Sequence, residues 1–274
     1  MTIVAFQGEH GAYGEEAIWS RFGRASTSLP CKSFADAFAA VARGEADFGA
    51  VPVENSQAGS INDVYDLLRT HDLHVVGEIC HPVDHCLMAL PGQELGAIRR
   101  VISHPQALAQ VDAFLRQLNV EVVATYDTAG SAKEIREQNL HGVAAVASAG
   151  AAEIYGLSIL ARSIQTNREN ITRFVVLSRE PGQRPATPAK TMLVLGLAHQ
   201  PGALYQALGA LARRELNLLK LESRPARHTP WEYVFYLDFE GDQAEARVAE
   251  ALAELKTHTV FCKVLGSFAR DLGR

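Results

Sequence analysis

Charge of one sign is what this 274-residue sequence most lacks. No cluster of lysines and arginines stands out against its net charge of −5, so a nucleic-acid partner is not expected. Nor does it hold an unbroken apolar run of about 18 residues, so no helical membrane span is expected. The opening stretch, Met1 to Phe6, has no basic residue and reaches Gly8 too soon for a secretory signal. Cysteine is scarce, and Cys31, Cys80, Cys86 and Cys262 lie too far apart for a disulfide framework. Without an export signal they are expected to be free thiols in a reducing cytoplasm. There is no internal repeat and no low-complexity tract. What is there is an ordinary globular composition, 47% apolar and 21% charged, in a chain long enough for two domains.

The first ~180 residues alternate short apolar runs with amphipathic stretches, the pattern of an α/β layer fold. Strands are expected at Thr2–Phe6, Phe48–Val51, Arg100–Ile102, Val120–Thr125, Val143–Ala147 and Arg173–Leu177. Extended segments broken at Pro82 should fill Leu73–Leu90, and helices should cover Glu15–Phe22, Asn62–Leu68 and Pro105–Leu118. Ser33 to Asp36 looks like a helix start, with Phe34, Phe38 and Val41 on one face. Three prolines and a glycine between Arg179 and Lys190 mark a linker. Beyond it the order is strand Thr191–Leu197, helix Gly202–Arg213, strands Leu218–Ser223 and Tyr233–Phe239, helix Gln243–Leu255 and strand Val260–Gly266. That is βαββαβ, a ferredoxin-like unit of roughly 80 residues.

Several junctions concentrate hydrogen-bonding groups. Gly8 to Gly14 joins a strand to a helix and reads either as a tight turn or as backbone N–H groups offered to an anion. It is neither a Walker A loop nor Gly-x-Gly-x-x-Gly, which makes a carboxylate a better ligand than a nucleotide. Pro52 to Ser60, with Asn55 and Ser56, sits at the carboxyl end of a strand, where open α/β sheets bind ligands and where turn chemistry is equally at home. Ser103 precedes a helix whose Gln106 and Gln110 share a face, and it could equally be a simple N-cap, as could Ser148. Asn170 to Phe174 enters a terminal strand in which Thr172 and Arg173 could be ordinary strand residues. Cys80, His81, Asp84 and His85 with Cys86 offer zinc-type ligands, but alternation along a strand would split them between two faces and no second ligand pair follows, so no metal site is assigned.

In this order and spacing, Val51-Pro52-Val53-Glu54-Asn55-Ser56, Ser103-His104-Pro105-Gln106 and Thr172-Arg173-Phe174 closely resemble the prephenate dehydratase family. The likeness runs through Gly8–Ala17, Pro52–Leu68, Ser103–Gln110, Thr128–Ala132, Ala145–Leu157 and Asn170–Leu177. The region after the linker resembles an ACT domain at Gly202-Ala203-Leu204 and Glu222-Ser223-Arg224-Pro225. The resemblance implies a two-lobed, periplasmic-binding-protein-like (type II) α/β catalytic region at 1–180, with lobe one at 1–77 and 165–180 and lobe two at 78–164. A linker at 181–190 and an ACT regulatory domain at 191–274 would follow. One departure is plain. The family's first loop offers small hydroxyl residues where this chain has Ala12 and Gly14, so backbone N–H groups must suffice there or the loop matters less.

The activity implied is loss of the ring carboxylate and 4-hydroxyl of prephenate to give phenylpyruvate, in phenylalanine biosynthesis. Aromatisation drives it, so no cofactor and no metal is called for. Thr172 would donate to the leaving hydroxyl, and Arg173 would anchor a carboxylate. Asn55, Ser56, Ser103, Gln110 and Ser148 would add neutral hydrogen bonds, with Phe174 and Gly11 completing the substrate site. Glu54 is ill suited to touch a dianion and receives no catalytic role. L-phenylalanine or another aromatic amino acid is the expected effector, bound near Gly202, Ala203, Leu204, Glu222, Ser223, Arg224 and Pro225 where two ACT domains pair in a dimer or tetramer. The alternatives are arogenate as substrate, or an amino-acid sensor without turnover.

Overall fold

The computed structural model describes residues 1–185, 187–225 and 233–272. Its backbone divides into two compact units, Met1–Asn62 with Ile79–Phe174 and Asp63–Glu78 with Val175–Leu272. The N-terminal apolar run forms β1 (Ile3–Gln7), whose Val4, Ala5 and Phe6 are wholly buried, as expected of a strand covered on both faces. Helix α1 (Tyr13–Phe22) follows the glycine loop, and β2 (Thr27–Cys31) comes next. No local pattern marks β2, because Pro30 interrupts it and its residues do not alternate. It pairs in parallel with β1 at the edge of its sheet, a position that tolerates proline. Helix α2 (Phe34–Arg43) begins at the expected capping box, where Ser33 Oγ accepts from Asp36 N and the Asp36 carboxylate accepts from Ser33 N, each at 3.1 Å.

Next come β3 (Phe48–Asn55), β4 (Gly59–Ser60), α3 (Asn62–Thr70), β5 (His74–Pro82), β6 (Cys86–Ala89) and β7 (Arg100–Ser103). The single helix expected over Pro105–Leu118 is instead two, α4 (Pro105–Gln110) and α5 (Asp112–Leu118). The break lies at Val111, and it frees the Gln110 carbonyl to accept from Thr166 N at 3.0 Å. β8 (Glu121–Ala124), α6 (Thr128–Glu137), β9 (Val143–Ala147), α7 (Ala149–Tyr155), β10 (Ser158–Ala161) and β11 (Ile171–Ser178) complete this region.

The strands form two sheets. One runs β2-β1-β3-β11-β5 with β4 paired onto β3, and the other runs β10-β6-β9-β7-β8. In the second sheet, Cys86, Met88, Ala145 and Ala147 enter one core while Leu87, Ala89, Ala144 and Val146 enter another. Period-two alternation thus supplies two apolar faces, and helices cover both. This is the expected two-lobed α/β architecture.

In the second unit, β12 (Ala189–Gly196), α8 (Ala203–Ala212), β13 (Leu218–Pro225), β14 (Tyr233–Glu240), α9 (Ala246–Thr257) and β15 (Phe261–Ala269) give the expected βαββαβ order. The sheet runs β13-β14-β12-β15, and Leu193, Leu237 and Phe239 meet Leu211, Val248 and Leu255 of the helices. Residues 63–78 group with this unit. Tyr65 packs on Tyr236 with ring centroids 4.7 Å apart, and the Tyr236 hydroxyl donates to the Tyr65 carbonyl at 2.9 Å.

Candidate active site

Where β3 ends and β11 begins, two polar side chains meet across the sheet. Asn55 Nδ2 donates to Thr172 Oγ1 at 3.0 Å and to Asn170 Oδ1 at 2.7 Å. Its own Oδ1 accepts from the backbone N–H groups of Gln57 (3.1 Å) and Ala58 (3.0 Å). Those two N–H groups fix which end of the amide is oxygen. Thr172 therefore receives a hydrogen bond from Asn55, and its O–H remains to be given elsewhere. Burial of Asn55, Asn170 and Thr172 makes this arrangement stiff, because leaving any of these groups unmade in the interior is costly.

The network continues into the other lobe. Asn170 Nδ2 donates to Gln110 Oε1 at 3.0 Å, and His85 Nε2 lies 2.7 Å from the same oxygen. His85 Nδ1 lies 2.7 Å from the Tyr13 hydroxyl. Burial lowers the pKa of His85, against a smaller opposing effect of its bond to Gln110, which favours the neutral ring. Burial, followed by the nearby Glu16, Cys86 and Asp84, raises that of Tyr13 well above its ordinary value, so its proton stays on. Glu16 is partly buried, which alone would raise its pKa. Its contacts with His81 at 3.2 Å and with the Gly150 N–H at 3.0 Å help to turn the shift downward and hold it ionised.

The two sheets of the first unit are tied at the same place. Ser148 Oγ donates to the Gly11 carbonyl at 2.7 Å, the Tyr155 hydroxyl to the His10 carbonyl at 2.9 Å, and Lys133 Nζ to Glu9 at 2.9 Å. The glycine loop is thus tied to the end of β9, to α7 and to α6, while the Asn55–Gln110 network joins the end of β3 to α4.

Residues 4–182 match the prephenate dehydratase family, and residues 191–257 match the ACT domain. The chain belongs to the prephenate dehydratase family. Arogenate dehydratase 5, a chloroplastic protein of Arabidopsis thaliana, is 46% identical over 98% of this chain and 68% of its own length. A solved prephenate dehydratase in complex with L-Phe, from Arthrobacter aurescens, superposes with a TM-score of 0.91 at 33% identity, covering 100% of this chain and 91% of that one. A structure described as a novel type of quorum-quenching acylase, GqqA, also reaches a TM-score of 0.91, at 39% identity over 99% of this chain and 100% of that one.

Against this family background, the expected site residues divide. Thr172, Asn55 and Gln110 come together as described. Ser56 holds the strand entry, donating to the Glu169 carbonyl at 3.1 Å and accepting from Ile171 N at 3.0 Å. Phe174 is buried close to Gly14 and Phe6. Gly11 has φ +86°, and a Cβ there would lie 2.6 Å from the Ala151 Cα. Gly11→Ala should therefore cost roughly 1–3 kcal/mol and reduce turnover, measured by thermal unfolding and initial rates; unchanged values would refute the close-approach account.

Two of the expected hydroxyls are taken up inside the lobes. Ser103 is wholly buried and its hydroxyl donates to the Val146 carbonyl at 2.6 Å, so it straps β7 to β9 and offers nothing to a ligand. Ser148, 1% exposed, caps α7 through Ala151 N at 3.1 Å and holds Gly11. Arg173 follows Thr172 on a strand, so it points to the opposite face, where its guanidinium donates to Glu54 at 3.0 Å. That pairing joins β11 to β3.

Tyr13, His85 and Asn170 join the network without being among the expected site residues. Asn170 stood in the flagged segment, and His85 was weighed only as a zinc ligand. Pairing each of them needs the packed lobes, which no local pattern reports.

The effector residues also divide. Gly202, at φ +80°, starts α8, and Ala203 and Leu204 line a cavity of about 160 Å³ with Tyr233 and Phe235. Glu222, Ser223, Arg224 and Pro225 lie on β13, at the edge of the sheet and outside that lining. Arg224 reaches Asp66 at 3.8 Å.

Proposed function

We propose that this chain is a carbon–oxygen lyase that converts prephenate to phenylpyruvate in L-phenylalanine biosynthesis. The single observation that carries the reading is the Thr172 hydroxyl, bonded from behind by Asn55 and left as a donor in the cleft of this family's fold. In the reaction, the electrons of the bond to the ring carboxylate move into the ring as carbon dioxide leaves, and the 4-hydroxyl departs with its electron pair. Thr172 donates a hydrogen bond to that departing oxygen and relays to it a proton drawn at the same time from a neighbouring group or water, so that it leaves as water and the threonine stays protonated. Positioned proton donation of this kind contributes about 10²–10⁴ in rate. Gln110 adds a second donor to the substrate's oxygens.

Arogenate, with an amino group where prephenate has a ketone, is the alternative substrate, and the 46% identical Arabidopsis relative bears that name. Supplying each acid separately and identifying phenylpyruvate or phenylalanine decides between them. An acylase reading follows from the 39% identical GqqA structure. The cleft's hydroxyls disfavour it, because those of Ser103 and Ser148 are committed to backbone carbonyls and that of Thr172 is held by an amide, not by a histidine base. Release of an acid from an acylated quorum signal, without dehydration of prephenate or arogenate, would favour it instead.

The ACT domain makes L-phenylalanine the expected effector, supported by the L-Phe complex of the Arthrobacter relative. Its edge strand β13, which carries Glu222 to Pro225, suits pairing with a second copy in a dimer or tetramer. Saturating L-phenylalanine should raise the melting temperature and change the rate, since a ligand that binds only the folded state stabilises it. No shift in either quantity would count against this effector. Four free cysteines fit a reducing compartment such as the cytoplasm. Among the described residues no helix is long and apolar enough to cross a membrane.

A further inference from the structure

Two cleft groups hold donors that no protein acceptor takes up among the described residues, Thr172 O–H and the Nε2 amide of Gln110. The carboxamide chain between them is pinned at both ends. At the Asn55 end the pins are the backbone N–H groups of Gln57 and Ala58. At the other end, Gln110 Oε1 accepts from Asn170 and lies 2.7 Å from His85 Nε2.

A carboxamide oxygen can only accept, so the ring proton of His85 belongs on Nε2. Nδ1 is then a lone pair, and the Tyr13 hydroxyl 2.7 Å away turns its proton to it in preference to the Asp84 carbonyl at 3.1 Å, the longer of its two contacts. The ring is fixed from its backbone too: His85 N donates to Gln165 Oε1 at 2.9 Å, and Gln165 Nε2 donates to Asp84 Oδ1 at 2.9 Å. In the other tautomer a lone pair would face the Gln110 oxygen. The amide would then turn over, Asn170 would lose its acceptor, and an oxygen would face the substrate.

We propose that the Tyr13–His85 pair is a positioning element. By holding His85 in its Nε2-protonated form, it keeps the Gln110 oxygen inward and its NH2 group, together with the Thr172 hydroxyl, turned to an oxygen-rich anionic substrate. For turnover this rests on the dehydratase reading above. Tyr13 opens α1 directly after Ala12, so the first loop serves the site through this tyrosine even though it lacks hydroxyl residues at 12 and 14.

His85→Leu should lower kcat about tenfold, the worth of one well-placed hydrogen bond, with KM little changed and the melting curve retained. His85→Gln, which can still donate a side-chain N–H to Gln110, should recover much of that loss. Tyr13→Phe should show a smaller loss in kcat. If His85→Leu keeps the parent kcat, or if His85→Gln is as impaired as His85→Leu, the positioning role is wrong. A readout independent of turnover and of variant folding is the ring nitrogen-15 spectrum of the parent protein. It should show a neutral His85 protonated on Nε2, and Tyr13→Phe should admit the other tautomer. A ring protonated on Nδ1 would overturn the proposal whatever the substrate. A parent that dehydrates neither prephenate nor arogenate removes the functional reading instead, and the tautomer then still decides the arrangement of donors.

Discussion

Thr172→Val should lower kcat on prephenate by about 10²–10⁴ while leaving KM within a few-fold. The substitution keeps the branched shape of a strand residue that is only 8% exposed and removes one oxygen. Asn55 Nδ2 loses one acceptor but keeps Asn170 Oδ1 at 2.7 Å, so the fold has little reason to change. What disappears is the donor to the leaving hydroxyl, a bond that grows stronger as charge develops in the transition state. A loss confined to kcat is the signature of such a group, whereas a loss confined to KM would mean that Thr172 merely binds substrate. Thr172→Ser, which keeps the hydroxyl, should retain most of the rate. Steady-state kinetics of the parent and both variants, with matched thermal unfolding, separate these outcomes.

Lys190→Met should be strongly destabilising, by about 3 kcal/mol or more. Lys190 Nζ lies 2.6 Å from Glu78 and 3.4 Å from Asp238, and all three side chains are at most 6% exposed. Methionine fills the same space without charge, so two buried carboxylates lose their shared cation in a medium that solvates them poorly. Glu78 keeps the backbone N–H of Asp271 at 3.0 Å, which places the cost near the lower end of the range for broken buried pairs. Adding Glu78→Gln should recover part of the loss, since it removes one of the stranded charges. Urea unfolding midpoints of the single and double variants measure both effects. A single variant as stable as the parent would show that these charges are better solvated than their burial implies.

The fold was legible in the sequence wherever period and punctuation agreed. Val4 to Phe6, the capping box at Ser33 and Asp36, and the βαββαβ order after the linker all follow from local chemistry. β2 was hidden by Pro30, which an edge position tolerates. The break at Val111 was hidden because its cause is a hydrogen bond between Thr166 and Gln110, distant in the sequence. The site was half legible. Asn55, Gln110 and Thr172 stood in recognisable segments, and their hydrogen-bonding character was plain. Ser103 and Ser148 carry the same character, yet their hydroxyls are consumed inside the lobes. Strand alternation already separates Arg173 from Thr172, and its pairing with Glu54 on β3 follows from that. His85 shows the reverse failure. Its neighbours Cys80 and Cys86 suggested metal chemistry, while its partners, Tyr13 and Gln110, lie far away in the sequence and meet it only in the folded chain.

The most direct measurement is product formation from prephenate by the purified parent protein, following phenylpyruvate and carbon dioxide together. Decarboxylating dehydration requires that the two appear at the same rate and in equal amounts, and that Thr172→Val slows both alike. Conversion to neither product, with arogenate equally untouched, would contradict the assignment of this cleft as a dehydratase site.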